Sequence, residues 1–242
     1  MINHYPSPLT LKGLTTAAQQ KVNRAGYLDI TSLKLADIAD KRNYCPKQLD
    51  FKNVFALVNF NGPEPYRTAV ITLDNHIFAV RSTANRLLNK LGQTFVLDRD
   101  HLRRDICPAL GINKQVPYVC GDYWLIPMDE INGNNTSWIR WMNQELDVAY
   151  EDEYLNIGCW RSVPQRWSMT RLRLRRRLKK CLLVAEFIEA IVAQIVPPGK
   201  PQELIDVQPV VETITQNHIA QLTEKYGRQD DVVPVAGLCG IL

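Results

Sequence analysis

The sequence has no run of about 18 or more apolar residues, which is the length that a membrane-spanning helix needs. Its first eleven residues contain Pro6 and Pro8 but neither a basic start nor an apolar stretch, so no signal peptide is expected. We therefore expect a cytoplasmic protein with no membrane partner, whose six cysteines stay reduced.

Metal and catalytic motifs are also lacking. None of the cysteines stands in C-x-x-C spacing, and the four histidines lie far from them in sequence. There is no Walker loop, no G-x-S-x-G and no G-x-G-x-x-G. The carboxylates of Asp129, Glu130 and 151–153 fall at predicted turns, so a nuclease that uses them with His101 is a weak alternative. We predict a protein that is not an enzyme, with no catalytic residues, no metal and no cofactor.

The periodicity of the 242 residues predicts an α+β fold with an antiparallel β-sheet core, N-terminal helices and a long basic C-terminal helix. An N-terminal helical segment (1–50) has helical spacing at 15–26 and 32–40. A β-rich domain (51–196) includes a short helix at 83–90 and ends in a helix over 168–196. A C-terminal extension (197–242) contains a last helix at 209–226. Strands are predicted at 54–60, 67–73, 76–80, 118–119, 123–127, 136–142, 145–150 and 154–159.

Acidic residues are missing from one basic stretch, 161–180, which has nine Lys and Arg and no Asp or Glu. The whole chain has 29 basic and 25 acidic residues, so 20 basic residues remain elsewhere and that remainder carries a net charge of −5. A mildly acidic body with one strongly basic element is typical of proteins that bind a polyanion. The nine are Arg161, Arg166, Arg171, Arg173, Arg175, Arg176, Arg177, Lys179 and Lys180.

The same stretch begins the predicted long helix. Its apolar positions recur at steps of three and four, which places them on one stripe: Leu174, Leu178, Cys181, Ala185, Ile188, Val192 and Ile195. Arg173, Arg177 and Lys180 fall opposite this stripe. Like charges four residues apart repel each other by a few tenths of a kcal/mol, and DNA phosphates would remove that repulsion. We predict that the nine cations bind double-stranded DNA, with Arg81 and Arg86 as secondary contacts.

A basic helix can also have other partners or none. The run could be a solvated surface, or the chain could be an interaction or adaptor protein whose basic helix docks on an acidic partner. A basic amphipathic helix can also bind an anionic membrane surface. RNA is a further alternative, although the chain has no RRM aromatic signature, no GXXG loop and no zinc knuckle.

Four segments, in order, resemble the competence transcription factor family (ComK), bacterial activators of DNA-uptake genes. Residues 82–86 resemble its Ser-x-Ala-Gly-Arg segment, with Asn85 where glycine is usual. Residues 117–127 resemble its apolar strand that ends in Phe-Pro, and 137–139 are similar to its Gly-Trp-Ile. Ser162, Thr170 and the Leu/Arg-rich run resemble the segment before its leucine-arginine helix. The resemblance covers roughly residues 50–180.

The resemblance implies a homo-oligomer at the bacterial nucleoid, bound to paired A/T-rich promoter boxes largely through the minor groove, with no small-molecule cofactor. It also implies activation of competence genes. A proteolytic adaptor is a candidate partner by the same resemblance, but the family's short C-terminal aromatic motif is not found here. The sequence further departs from the family at Gln165 and Arg166, which replace an Asn-Gln pair, and in the residues after Pro197.

Overall fold

The computed structural model describes residues 10–43, 49–60, 65–95, 97–128, 136–142, 146–151, 153–159 and 162–195, and of residues 192–195 it describes the backbone only. The observations below concern these residues. Arg161, residues 129–135 and the whole extension 197–242 with its predicted helix lie outside them. The fold is α+β, as predicted, with two sheets and several helices.

The N-terminal segment begins with α1 (Thr16–Ala25), whose ends have the expected caps. The Thr15 side chain accepts a hydrogen bond from the Ala18 backbone N–H. At the other end Gly26 has φ +77°, a left-handed conformation that suits glycine, and its N–H donates to the Val22 carbonyl. The predicted helix at 32–40 is wrong, because the structure has only a 3-10 turn there (Leu35–Asp37).

The larger sheet has seven strands in the order β2-β5-β4-β3-β8-β7-β6, and only the β2–β5 pair is parallel. All residues of β4, β5 and β7 are buried, which explains their continuous apolar runs. The strands are β2 (Lys41–Arg42), β3 (Val54–Asn59), β4 (Thr68–Thr72), β5 (Ile77–Val80), β6 (Tyr118–Cys120), β7 (Tyr123–Pro127) and β8 (Trp138–Trp141).

The smaller sheet has four strands in the order β1-β11-β10-β9. They are β1 (Leu28–Asp29), β9 (Leu146–Glu151), β10 (Tyr154–Cys159) and β11 (Gln165–Ser168). Only the β1–β11 pair is parallel. β11 was not predicted, because its residues belong to the basic run. Its buried Gln165 and Trp167 alternate with Arg166 and Ser168 as in a half-buried strand.

Short helical elements connect the strands of the larger sheet. They are two 3-10 turns (Phe51–Asn53 and Leu91–Gln93), α2 (Ala84–Leu88), α3 (Arg99–His101), a π-helical turn (Leu102–Ile106) and α4 (Cys107–Ala109). The last three are continuous in the chain.

The longest helix is α5 (Arg171–Ile195), which packs against β6 and β7. One hydrophobic cluster joins side chains of both sheets with Leu174, Leu178 and Phe187 of this helix. The first turns of α5 are therefore held against the sheet by a buried face, which fixes the direction of the opposite face.

Candidate nucleic-acid interface

The basic segment enters α5 directly from β11. Thr170 begins the helix, because its hydroxyl accepts a hydrogen bond from the Arg173 N–H at 3.4 Å and its carbonyl accepts one from the Leu174 N–H at 3.1 Å. Leu174 and Leu178 are buried and anchor the first two turns. This local structure places the cations at 171–180 on a short, well-anchored piece of helix.

Four arginines of the helix are exposed and Lys179 is half-buried beside them. We call this group the cationic face; it consists of Arg171, Arg173, Arg175, Arg176 and Lys179. Within the part of the chain that the structure describes, no carboxylate forms an ion pair with Arg171, Arg175 or Arg176. The cationic face also has no acidic residue in the first helical turn, where the helix dipole disfavours positive charge.

Tyr150 on β9 lies against the start of the cationic face. The Arg171 guanidinium carbon is 5.3 Å from the centroid of the Tyr150 ring, a distance typical of a cation–π contact. Burial raises the pKa of the Tyr150 phenol, and the positive charges of Arg171 and Arg175 oppose that rise. Tyr150 was not among the predicted contact residues. The alternation of apolar residues along 146–150 is the sequence pattern that indicates its inward position.

The structure corrects the expected position of Arg177. Sequence spacing places it opposite the apolar stripe, but it is 3% exposed and its guanidinium donates to the Pro127 carbonyl. The buried residues of α5 continue as Cys181, Val184 and Phe187, at steps of three. Three residues cover only about 300° of a helix, so this stripe turns around the axis and takes Arg177 into the interior.

Lys180 also turns inward rather than lying opposite the buried face. Its ammonium group donates to the Lys114 carbonyl at 2.9 Å, and the side chain is half-buried. Burial lowers the pKa of Lys180, and the nearby Arg177 charge lowers it further. Lys180 therefore helps to attach α5 to the chain before β6 and lies at the margin of the cationic face.

Arg166 is engaged by the smaller sheet. Its guanidinium forms an ion pair with Glu151 and donates to the Asn156 side-chain oxygen at 3.2 Å. Its guanidinium carbon lies 4.1 Å from the Tyr27 ring centroid and 5.3 Å from that of Tyr154. A carboxylate of the acidic body thus neutralises this one member of the basic segment, and we assign Arg166 to holding the sheet rather than to the cationic face.

Arg81 and Arg86 are exposed at one end of the larger sheet. Arg81 follows the last residue of β5, and its guanidinium carbon is 5.7 Å from the Tyr66 ring centroid. Lys41 approaches the same ring, with its Nζ 5.9 Å from the centroid. No local pattern groups Lys41 and Tyr66 with Arg81, because β2 and β5 are brought together only by the sheet.

The end of the sheet that carries Arg81 is also the end that meets α5. Pairing places Val80 opposite Thr68, and Asn59 lies opposite Thr68 on the next strand. On the far side of β8, Pro127 of β7 lies at this same end of the sheet, and Pro127 is the residue that Arg177 contacts. Four strand spacings of about 4.8 Å separate β5 from β7. The end of β5 that precedes Arg81 and the end of β7 that Arg177 contacts are therefore roughly 19 Å apart along the edge of the sheet.

Two kinds of feature are absent from the described ranges, namely metal-ligand clusters and membrane-spanning helices. No group of three or more His, Cys, Asp or Glu residues there could hold a metal ion. No helix among them is both long and apolar enough to cross a membrane.

No protein-family model matches the chain, and no curated protein or solved structure matches it. The resemblance to the competence transcription factors accordingly stays a prediction from sequence motifs.

Proposed function

We propose that this protein binds double-stranded DNA through the cationic face of α5 and acts as a transcriptional activator of the competence type that its motifs resemble. The observation that carries the proposal is the arrangement of Arg171, Arg175 and Arg176. All three are exposed on adjacent turns, and no carboxylate in the described part of the chain pairs with them.

Repulsion within this arrangement favours an anionic partner. Arg171 and Arg175 are four residues apart, as are Arg175 and Lys179, and each such pair of like charges destabilises a helix by a few tenths of a kcal/mol. A row of phosphates would remove the repulsion and release the counterions condensed on DNA. Arginine suits this use because its planar group can donate two hydrogen bonds to one phosphate.

The secondary contacts Arg81 and Arg86 support a duplex rather than a small anion. Arg81 follows β5, and four strand spacings of about 4.8 Å separate β5 from β7, where α5 packs, a separation of roughly 19 Å that several base pairs of a duplex span. Lys41, exposed beside Arg81, belongs to the same region. Paired A/T-rich boxes as the target, competence genes as the regulated set, and assembly into a homo-oligomer come from the family resemblance alone.

The test is a comparison of two triple variants of equal charge. Replacing Arg171, Arg175 and Arg176 with Gln should weaken binding to a duplex that contains paired A/T-rich boxes by about 100-fold or more, measured by fluorescence anisotropy. The control replaces the exposed cations Arg24, Lys34 and Arg104 with Gln and removes the same charge elsewhere. Equal losses in the two variants would mean that net charge, and not the cationic face, governs binding.

A second arm of the test separates sequence-specific DNA binding from other uses of the face. A transcriptional activator should bind the A/T-box duplex about 10³-fold or more tightly than a random duplex at the same salt concentration. Equal affinity for the box duplex, random duplex, RNA and polyglutamate would contradict the proposal and favour an adaptor that docks on acidic partners.

A further inference from the structure

Two exposed asparagines share the guanidinium of Arg99. Asn85 lies on α2 and Asn89 is the C-cap of that helix, so the two are four residues apart and lie on the same side of it. Arg99 donates to the side-chain oxygen of Asn89 at 3.0 Å and to that of Asn85 at 3.2 Å. Arg99 is itself held by Trp138 of β8, because its guanidinium carbon is 5.3 Å from the ring centroid.

The shared guanidinium fixes which way the two amides point. A guanidinium has donors and no acceptor, so the amide atom that faces Arg99 must be the oxygen. The amino group is on the other branch of each amide and is therefore directed away from Arg99. Within the described ranges, the amino groups of Asn85 and Asn89 donate to no protein acceptor. This surface thus offers hydrogen-bond donors to a ligand, while its oxygens are turned inward.

A surface that offers only donors fits an edge that offers only acceptors. In the minor groove of DNA, A·T pairs present just the N3 atom of adenine and the O2 atom of thymine, which are both acceptors. A G·C pair adds the 2-amino group of guanine, a donor that would face another donor here. In the major groove asparagine reads adenine with its oxygen and its amino group together, and Arg99 already holds these oxygens. The minor groove of A·T pairs is therefore the better match.

The asparagine pair lies close to the place where α5 meets the larger sheet. Trp138, the residue that holds Arg99, is paired with Pro127 of β7, and the Pro127 carbonyl accepts from Arg177 of α5. The two contacts are thus on neighbouring strands, which are about 4.8 Å apart. Arg86, exposed and next to Asn85 in the chain, adds a cation on the asparagine side. One duplex that contacts the cationic face can therefore also reach α2.

We infer that Asn85 and Asn89 donate hydrogen bonds to adenine N3 and thymine O2 in the minor groove and so select A·T over G·C pairs. The inference rests on the proposed DNA binding and adds to it the residues that discriminate between base pairs. Asn85 stands where the resembling family has glycine, so the resemblance does not supply this contact. Arg99 is a positioning residue, since it acts through the two amides.

The experiment moves the 2-amino group independently of the major groove. The probes are four duplexes of the same alternating purine–pyrimidine pattern, made of A·T, G·C, inosine·C or 2,6-diaminopurine·T pairs. Inosine·C keeps the major-groove edge of G·C without the 2-amino group, and 2,6-diaminopurine·T keeps that of A·T with the group added. Affinities of the full chain are measured by fluorescence anisotropy at one salt concentration.

The wild-type chain should bind the A·T and inosine·C duplexes about tenfold or more tightly than the other two. The double variant Asn85→Ala, Asn89→Ala keeps the cationic face, so it should bind all four duplexes within about twofold of one another. The matched control, Gln20→Ala with Asn23→Ala, removes two exposed amides from α1 and should keep the wild-type preference. Alanine forms helices at least as well as asparagine, so the unfolding midpoint in urea should stay near that of the wild type.

Three other results would overturn the inference. If the wild-type chain treats inosine·C like G·C, the preference is read in the major groove. If the double variant retains the full preference, the discrimination comes from groove shape or from other residues. In both cases the cationic face remains a DNA-binding surface. If the wild-type chain binds none of the duplexes, the proposed function fails and this inference fails with it.

Discussion

The guanidinium of Arg177 on α5 donates a hydrogen bond to the carbonyl oxygen of Pro127, the last residue of β7. This contact joins the helix to the end of the larger sheet, at the residue that directly follows Arg176 of the cationic face. A charged group from the basic segment thus helps to hold the helix in place, while its neighbours Arg175 and Arg176 face outward. The nine cations of the segment therefore differ in role.

We predict that Arg177→Ala destabilises the protein. The change leaves the buried Pro127 carbonyl without this donor and opens a cavity, so the free energy of unfolding should fall by about 2 to 4 kcal/mol. Urea denaturation followed by tryptophan fluorescence measures the change. Arg176→Ala, at an exposed site in the adjacent position, should alter stability by no more than about 0.5 kcal/mol. A similar small effect from both variants would show that Arg177 does not support the fold.

The turning of the buried stripe gives a second prediction. Phe187 is buried whereas Ile188, which the sequence spacing places in the core, is half-buried. Phe187→Ala should therefore lower the free energy of unfolding by about 3 to 5 kcal/mol, and Ile188→Ala by clearly less. Thermal and urea denaturation of the two variants check this order. The reverse order would favour the regular stripe of steps three and four.

The salt dependence of DNA binding should report how many cations meet phosphate. If the five cations of the cationic face do so, the logarithm of the affinity should fall with the logarithm of salt concentration at a slope of about −4 to −5. Contact by all nine cations of the basic segment would give about −8. A titration over a salt series measures the slope. The steeper value would mean that Arg166 and Arg177 leave their protein partners on binding.

We predict that the free energy of unfolding depends on pH through Asp40. The hydrogen bond from Arg42 lowers the pKa of the Asp40 carboxyl below its usual range, although its partial burial acts the other way. Because the folded pKa is below the unfolded value of about 3.9, the stabilisation is present above that value and is lost as the pH falls through the folded pKa. As the pH is lowered from about 5 to about 2, the urea concentration at the unfolding midpoint should decrease, and it should decrease less steeply for Asp40→Asn.

Asp74 should account for part of the stability that Asp40→Asn still loses in acid. A hydrogen bond from Thr72 lowers the pKa of Asp74, so the Asp40→Asn variant should still lose some stability in acid. A variant with Asp40 and Asp74 both replaced by Asn should respond still less. If Asp40→Asn follows the wild-type curve at every pH, the pairing of Asp40 with Arg42 does not contribute to stability.

Local sequence signals predicted the strands of the larger sheet from β3 to β8, although not the two-residue β2. The apolar runs at 54–60 and 123–127 correspond to β3 and β7, and Asp74 and Asn75 lie in the turn between β4 and β5. Asn75 has φ +58°, a conformation that asparagine tolerates better than most residues. These features depend on residues that are close in the chain, so the sequence alone predicts them.

Pairings between distant segments were not predictable in the same way. β11 has only four residues, and the polar Gln165 at a buried position obscures its alternation. Its neighbours are β10 and the two-residue β1, which comes far earlier in the chain. A strand this short is stable only beside its partners. No local pattern indicates which partners it will have, and hence none indicated that Glu151 would meet Arg166.

The sequence by itself determined that a dense group of cations, free of acids, would stand on one helix, because charge and helical spacing are properties of consecutive residues. Only the tertiary structure decided which of them face outward. Arg177 is inside, where its side chain reaches the carbonyl of Pro127 at the end of β7, whereas Arg175 and Arg176 are exposed. Helix periodicity orders residues around an axis, but the surface against which the helix packs sets the direction of each face.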